Sequence, residues 1–150
     1  MNNEKIESAI EAFHENQSKE TFTGIMLAIH KSIKEEGQLI IPVETPMSLV
    51  ELIDLDTVKP GDIITTPTEV RMKLQRIKVD NDIWLAAFTN EEEVKNGAET
   101  STITQSTEMF LRSILKMDDV EGVIINPWGI PFYMDKRMVY ILFETIQSLQ

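Results

Sequence analysis

Ile83-Trp84-Leu85-Ala86-Ala87-Phe88 is an unbroken apolar run. Side chains alternate faces along a strand, so a run with no polar member predicts a strand buried on both sides, at the centre of a sheet with helices over both faces. Val70 to Val79 precedes it across Asp80-Asn81-Asp82, rich in β-branched residues, and the pair predicts a hairpin. Within the first strand Val70, Met72 and Leu74 share one face while Ile77 and Val79 share the other. This phase change predicts a bulge near Gln75-Arg76.

Helical periodicity surrounds these strands. Ile6, Ile10 and Phe13 lie on one face of a segment from Asn3 to Asn16, and Ser18 is placed to cap a second helix. In that helix Phe22, Ile25, Met26, Ile29 and Ile33 form the apolar stripe, and Gly37 stands where a left-handed cap would close it. Leu39 to Val43 reads as a short strand in which Pro42 implies an edge or an end. From Glu44 to Glu69 the pattern is irregular, with Lys59-Pro60-Gly61-Asp62 as a turn signal. Thr89 and Glu92 have capping-box spacing for a short helix ended by Gly97. A strand at Thr100 to Thr104, a helix capped by Ser106, a buried strand at Gly122 to Ile125 and a last helix capped by Asp135 complete the chain. The last helix turns Val139, Leu142, Phe143 and Ile146 inward. The expectation is an α/β (mixed α+β) fold, with a mixed central sheet of about five strands, two N-terminal helices and a C-terminal helix. Residues 1–36 would be a helical segment packed on a domain of residues 37–150, making one globular unit.

The 150 residues suit one domain with its own core, and 42% hydrophobic with 26% charged residues is a globular composition. With no cysteine, disulfides, thiolate nucleophiles and thiolate metal ligands are excluded. No leader pattern opens the chain and no stretch approaches about 18 apolar residues, so the expected compartment is the cytoplasm, without membrane association. A net charge of −11 opposes binding to nucleic acid. Arg71, Lys73, Arg76 and Lys78 are the one dense basic stretch and read as a solvated strand face.

Motif chemistry is sparse. His14 and His30 have no metal or base spacing, and the glycines are too far apart for a phosphate-cradling loop. Ser113-Ile114-Leu115-Lys116 matches S-x-x-K but lacks its partner motifs and falls inside an amphipathic helix. Asp80, Asp82, Asp118, Asp119 and Glu121 read as turn and cap residues, since no cation-binding loop continues from them. Glu91, Glu92 and Glu93 complement the helix dipole and would repel a phosphate there. The loop Asn126-Pro127-Trp128-Gly129-Ile130-Pro131 differs in kind. A tryptophan there has no turn-chemistry purpose, so Trp128 is either a lid folded onto the core or an aromatic anchor for a partner.

Gly37-Gln38-Leu39-Ile40-Ile41-Pro42-Val43, the strand end Ala87-Phe88-Thr89-Asn90-Glu91-Glu92-Glu93, and Gly122-Val123-Ile124-Ile125-Asn126-Pro127 occur in an order that resembles the N-terminal domain of the SseB (enhanced serine sensitivity) family. The resemblance spans roughly Gly37 to Leu149. It implies a bacterial, cytoplasmic α/β domain, and brings no established reaction, cofactor or catalytic residue set; the second, C-terminal domain of longer members has no counterpart here. The leading expectation is therefore a non-enzymatic protein-binding or regulatory module, with no catalytic residue, metal or cofactor. Its candidate contact residues are Phe88, Thr89, Asn90, Glu92, Asn126, Pro127 and Trp128. One alternative is a small-molecule enzyme or sensor related to amino acids, using Asp80, Asp82, Asp118 and Asp119. The other is an acidic inhibitor of a basic protein.

Overall fold

A computed structural model describes residues 2–44 and 74–148. The elements are α1 (Glu4–Glu15), α2 (Lys19–Lys34), β1 (Gln38–Val43), β2 (Arg76–Val79), β3 (Asp82–Ala87), α3 (Glu91–Lys95), β4 (Ser101–Ser106), α4 (Thr107–Leu115), β5 (Gly122–Ile125), β6 (Phe132–Asp135) and α5 (Lys136–Ser148). Among the described residues two sheets form, a mixed one ordered β2-β3-β5-β6 and an antiparallel pair β1-β4. Within the mixed sheet β3 and β5 run parallel, and the other neighbours are antiparallel. This is the expected mixed α+β fold.

Capping side chains set where the helices begin. Ser18 Oγ accepts from the Thr21 N–H (3.1 Å) while Thr21 Oγ1 accepts from the Ser18 N–H (3.0 Å), a reciprocal pair at the start of α2. Ser106 caps α4 by accepting from Met109 N–H, and Asp135 does the same for α5 through Met138 N–H. The end of α2 departs from expectation by one residue. Glu36, not Gly37, takes the left-handed conformation (φ 57°). The N–H of Gly37 returns to Ser32 O (2.7 Å) and that of Glu36 to Ile33 O (3.3 Å), the paired bonds of a Schellman end. Gly37 instead lies close over Ser32, where a Cβ would come 2.2 Å from Ser32 Oγ and 3.0 Å from Ser32 O.

Leu85 and Ala87 of β3, Val123 and Ile125 of β5, and Phe132 and Met134 of β6 face one way, into a single cluster with residues of α1, α2, α4 and α5. Burying a side chain such as Phe110 or Ile29 there stabilises the fold by about 1.5–3 kcal/mol each. Phe13, Phe22 and Phe132, with centroids 5.9–6.3 Å apart, join α1, α2 and β6. The opposite parity of the sheet holds Ala86, Phe88 and Ile124, also buried. All four longer described helices enter the first cluster, so the expectation of helices over both faces does not describe them.

The hairpin is β2-β3, closing at Asp80-Asn81 with Asp80 at φ 57°. The predicted phase change marks a change of partner. Arg76 pairs with Leu85 of β3, whereas Gln75 N–H bonds Pro42 O and Leu74 bridges to Val43 of β1. Ile40 and Phe88 exchange both backbone hydrogen bonds (3.0 and 2.8 Å), which ties β1 to the end of β3. Residues 45–73, which include all of the predicted irregular stretch after Glu44, the start of the first hairpin strand, Arg71 and Lys73, lie outside the described residues, as does the side chain of Ile146. Strand β6 was not anticipated. Its pattern of Phe132 and Met134 buried with Tyr133 exposed is too short beside Pro131 to stand out. Gly122 admits it closely, since a Cβ there would meet Met134 O at 2.1 Å.

Candidate functional site

The two sequence boxes that are far apart in the chain meet because β3 and β5 are parallel neighbours. Ala87 stands opposite Ile125, so Phe88-Thr89-Asn90 and Asn126-Pro127 leave the sheet side by side at its carboxyl ends. In open α/β sheets that is where binding residues usually gather. Asn126 N–H continues the ladder to Ala87 O at 2.8 Å. Asn126 then turns left-handed (φ 55°) and is buried; asparagine tolerates that conformation better than most side chains. Its Oδ1 accepts from Thr89 N–H (3.0 Å) and its Nδ2 donates to Thr89 Oγ1 (3.0 Å). The two strand ends are thereby locked to each other.

This lock corrects the expected capping box. Thr89 is buried, its N–H and hydroxyl engaged by Asn126, and the cap of α3 is Asn90, whose Oδ1 accepts from Glu93 N–H at 2.9 Å. Asn90 Nδ2 also donates to Glu7 Oε2 (2.8 Å), reaching α1. From the start of α1, Asn3 Nδ2 donates to both Gln38 O and Thr89 O (2.9 Å each). One buried amide therefore holds α1, β1 and the end of β3 together. Nothing in the sequence around Asn3 announces a partner 86 positions away.

The loop after Asn126 runs along α3. A Cβ on Gly97 would lie 2.4 Å from the Trp128 ring, and one on Gly129 2.4 Å from Glu93 Oε2. Trp128 is thus seated on Gly97 rather than on the hydrophobic core, and it is 49% exposed. Of the predicted contact residues, Phe88, Thr89 and Asn126 are buried and form the frame. Asn90 and Pro127 are half-buried, and Glu92 and Trp128 are exposed. The glycines and Glu93 escaped sequence reasoning as site residues: Gly97 reads there as a helix terminator, and Glu93 as a dipole partner.

Beside the loop lies a hollow of about 170 Å³ lined by Glu7, Ile10, Glu11, Glu93, Asn126 and Ile130. Glu93 Oε2 is shut off from solvent without a hydrogen-bond partner. Burial pushes the Glu93 carboxyl above its ordinary range; a hydrogen bond with Asn96 partly offsets this, and the Glu7 carboxylate adds to it.

The other candidate residues do not converge. Asp80, Asp82, Asp118 and Asp119 are exposed, and Asp119 pairs with Arg76 at 2.9 Å. Ser113 Oγ donates to Phe110 O (2.6 Å), the back-bond of an ordinary helix residue. His14 is exposed, while His30 is buried with Nε2 unpartnered. Among the described residues no helix is long and apolar enough to cross a membrane. Comparison of the chain with protein-family models, with curated proteins and with solved structures finds no match in any of the three.

Proposed function

We propose that the chain is a non-enzymatic protein-binding or regulatory module, bacterial and cytoplasmic like the SseB family it resembles, and that Trp128 and the adjoining face of α3 are its contact surface. The observation that carries this reading is the seating of Trp128. A large aromatic ring stands half exposed on a loop pinned by a buried asparagine and braced by two glycines. Exposed tryptophan on a preorganised support suits an interface anchor, since little conformational freedom is lost on binding. Phe88, Thr89 and Asn126 support that surface from below, and Asn90, Glu92 and Pro127 border it.

Affinity capture from bacterial cytosol with wild-type bait beside Trp128→Ala tests the reading. A half-exposed ring leaves the variant folded, at a cost well below the ~3–5 kcal/mol of a core tryptophan truncation. A stoichiometric protein retained by wild type and lost from the folded variant is expected. Identical captures by both baits would remove Trp128 from any contact role.

A further inference from the structure

We infer that the Trp128 surface receives a basic segment of a partner protein, one arginine of which enters the hollow between α1 and the Asn126–Ile130 loop. The inference rests on the reading of Trp128 as a contact residue and specifies the chemistry of what it contacts.

Charge complementarity is the main argument. Glu7, Glu11 and Glu93 line the hollow, and none of the described residues lining it is a lysine, arginine or histidine. The nearest cation along α3, Lys95, lies 3.9 Å from Glu92, outside the hollow. Burial and Glu7 both disfavour the charged form of Glu93, a cost that an entering cation would relieve. Three carboxylates repel an anionic occupant and favour a cationic one. Size narrows the choice further. About 170 Å³ is well below the roughly 300–1,000 Å³ of sites that enclose whole small molecules, and suits the head of one side chain.

Arginine fits this hollow better than lysine. Its planar guanidinium offers five donors to carboxylates that can only accept, and it is more weakly hydrated than an ammonium, so it enters between the Ile10 and Ile130 walls at lower cost. The half-exposed indole of Trp128, carried by the same loop, leaves ring surface for a neighbouring cation or apolar group of the segment. A net charge of −11 would also speed encounter with a basic partner.

The test is selection of a random displayed peptide library on the full chain, with counter-selection on Trp128→Ala, followed by affinity measurement on synthetic copies. Selected peptides are expected to share an arginine whose replacement by lysine or glutamine weakens binding. The Glu7→Gln/Glu93→Gln variant, checked for folding by circular dichroism, is expected to bind about tenfold more weakly. Glu20→Gln/Glu36→Gln, with the same change in net charge outside the hollow, should bind nearly as wild type. Trp128-dependent peptides without arginine, or equal losses in the two double variants, would overturn the arginine inference and leave the contact surface standing. A library yielding no Trp128-dependent peptide would overturn both.

Discussion

Replacing Asn126 is the sharpest probe of how the site is built, because that residue combines a left-handed backbone with two buried hydrogen bonds. Asn126→Ala removes the acceptor of the Thr89 N–H. Thr89 is 1% exposed, so water cannot replace it, and an unsatisfied buried donor costs about 1–3 kcal/mol. Alanine in the left-handed region adds about 1–2 kcal/mol of backbone strain. The expected loss is therefore about 2–5 kcal/mol. Asn126→Gly forfeits the same hydrogen bonds without that strain, and after its greater unfolded-state freedom is counted it should cost about 0.5–1 kcal/mol less than alanine. Urea unfolding followed by circular dichroism measures both, with an unchanged slope confirming that only stability has moved. A loss below about 0.5 kcal/mol for alanine, the range of an inconsequential surface change, would refute the lock. Equal losses for alanine and glycine would refute the strain part alone.

Two further outcomes follow from single residues. Burial raises the Glu93 carboxyl in the folded chain, so the fold holds that proton more tightly than the unfolded chain does. The associated stability is present below the unfolded carboxylate range and is lost as pH rises through the folded value. Glu93→Gln should accordingly be more stable than wild type at neutral pH, with the advantage shrinking as both are acidified; an advantage independent of pH in denaturant titrations would contradict this. Glu36 holds the left-handed position at the end of α2, so Glu36→Gly should raise stability by about 0.5 kcal/mol, the strain relieved less the added unfolded-state entropy. Thermal unfolding reads the sign, and destabilisation would show that the Glu36 side chain has a role its backbone does not reveal.

What could be read in the sequence was whatever local chemistry determines. Ser18, Ser106 and Asp135 cap helices where their spacing says, because an N-cap acts within its own first turn. The unbroken apolar run became the internal strand β3, flanked by β2 and β5. Illegible were the features that depend on distant partners. Thr89 has the spacing of a cap, yet the amide of Asn126 outcompetes that role, and Asn90 one residue on takes the helix instead. Gly97 has the spacing of a helix stop, yet what it must accommodate is an indole ring. The break in face between Leu74 and Ile77 was visible, but its cause, a switch from β1 to β3, belongs to the sheet.

The same distinction separates folding from function within the site. Phe88, Thr89 and Asn126 belong to the two sequence boxes at this end of the sheet, and each has a complete structural explanation: a bridge to β1, a pair of buried hydrogen bonds, and a left-handed turn. Residues so fully used by the fold need no partner to account for them. Trp128 is the opposite case. Its ring covers a glycine, leaves half its surface in water, and fills no place in the hydrophobic cluster. Glu93 repeats the pattern, with a carboxyl pressed against Gly129 and raised by burial and by Glu7, a cost for which none of the described residues lining the hollow supplies a cation. Both residues meet at the loop that follows β5, Trp128 as a half-exposed ring on it and Glu93 as an acid disfavoured in its charged form against it. On the inference drawn above, an arginine-bearing partner would cover the ring and offset the charge.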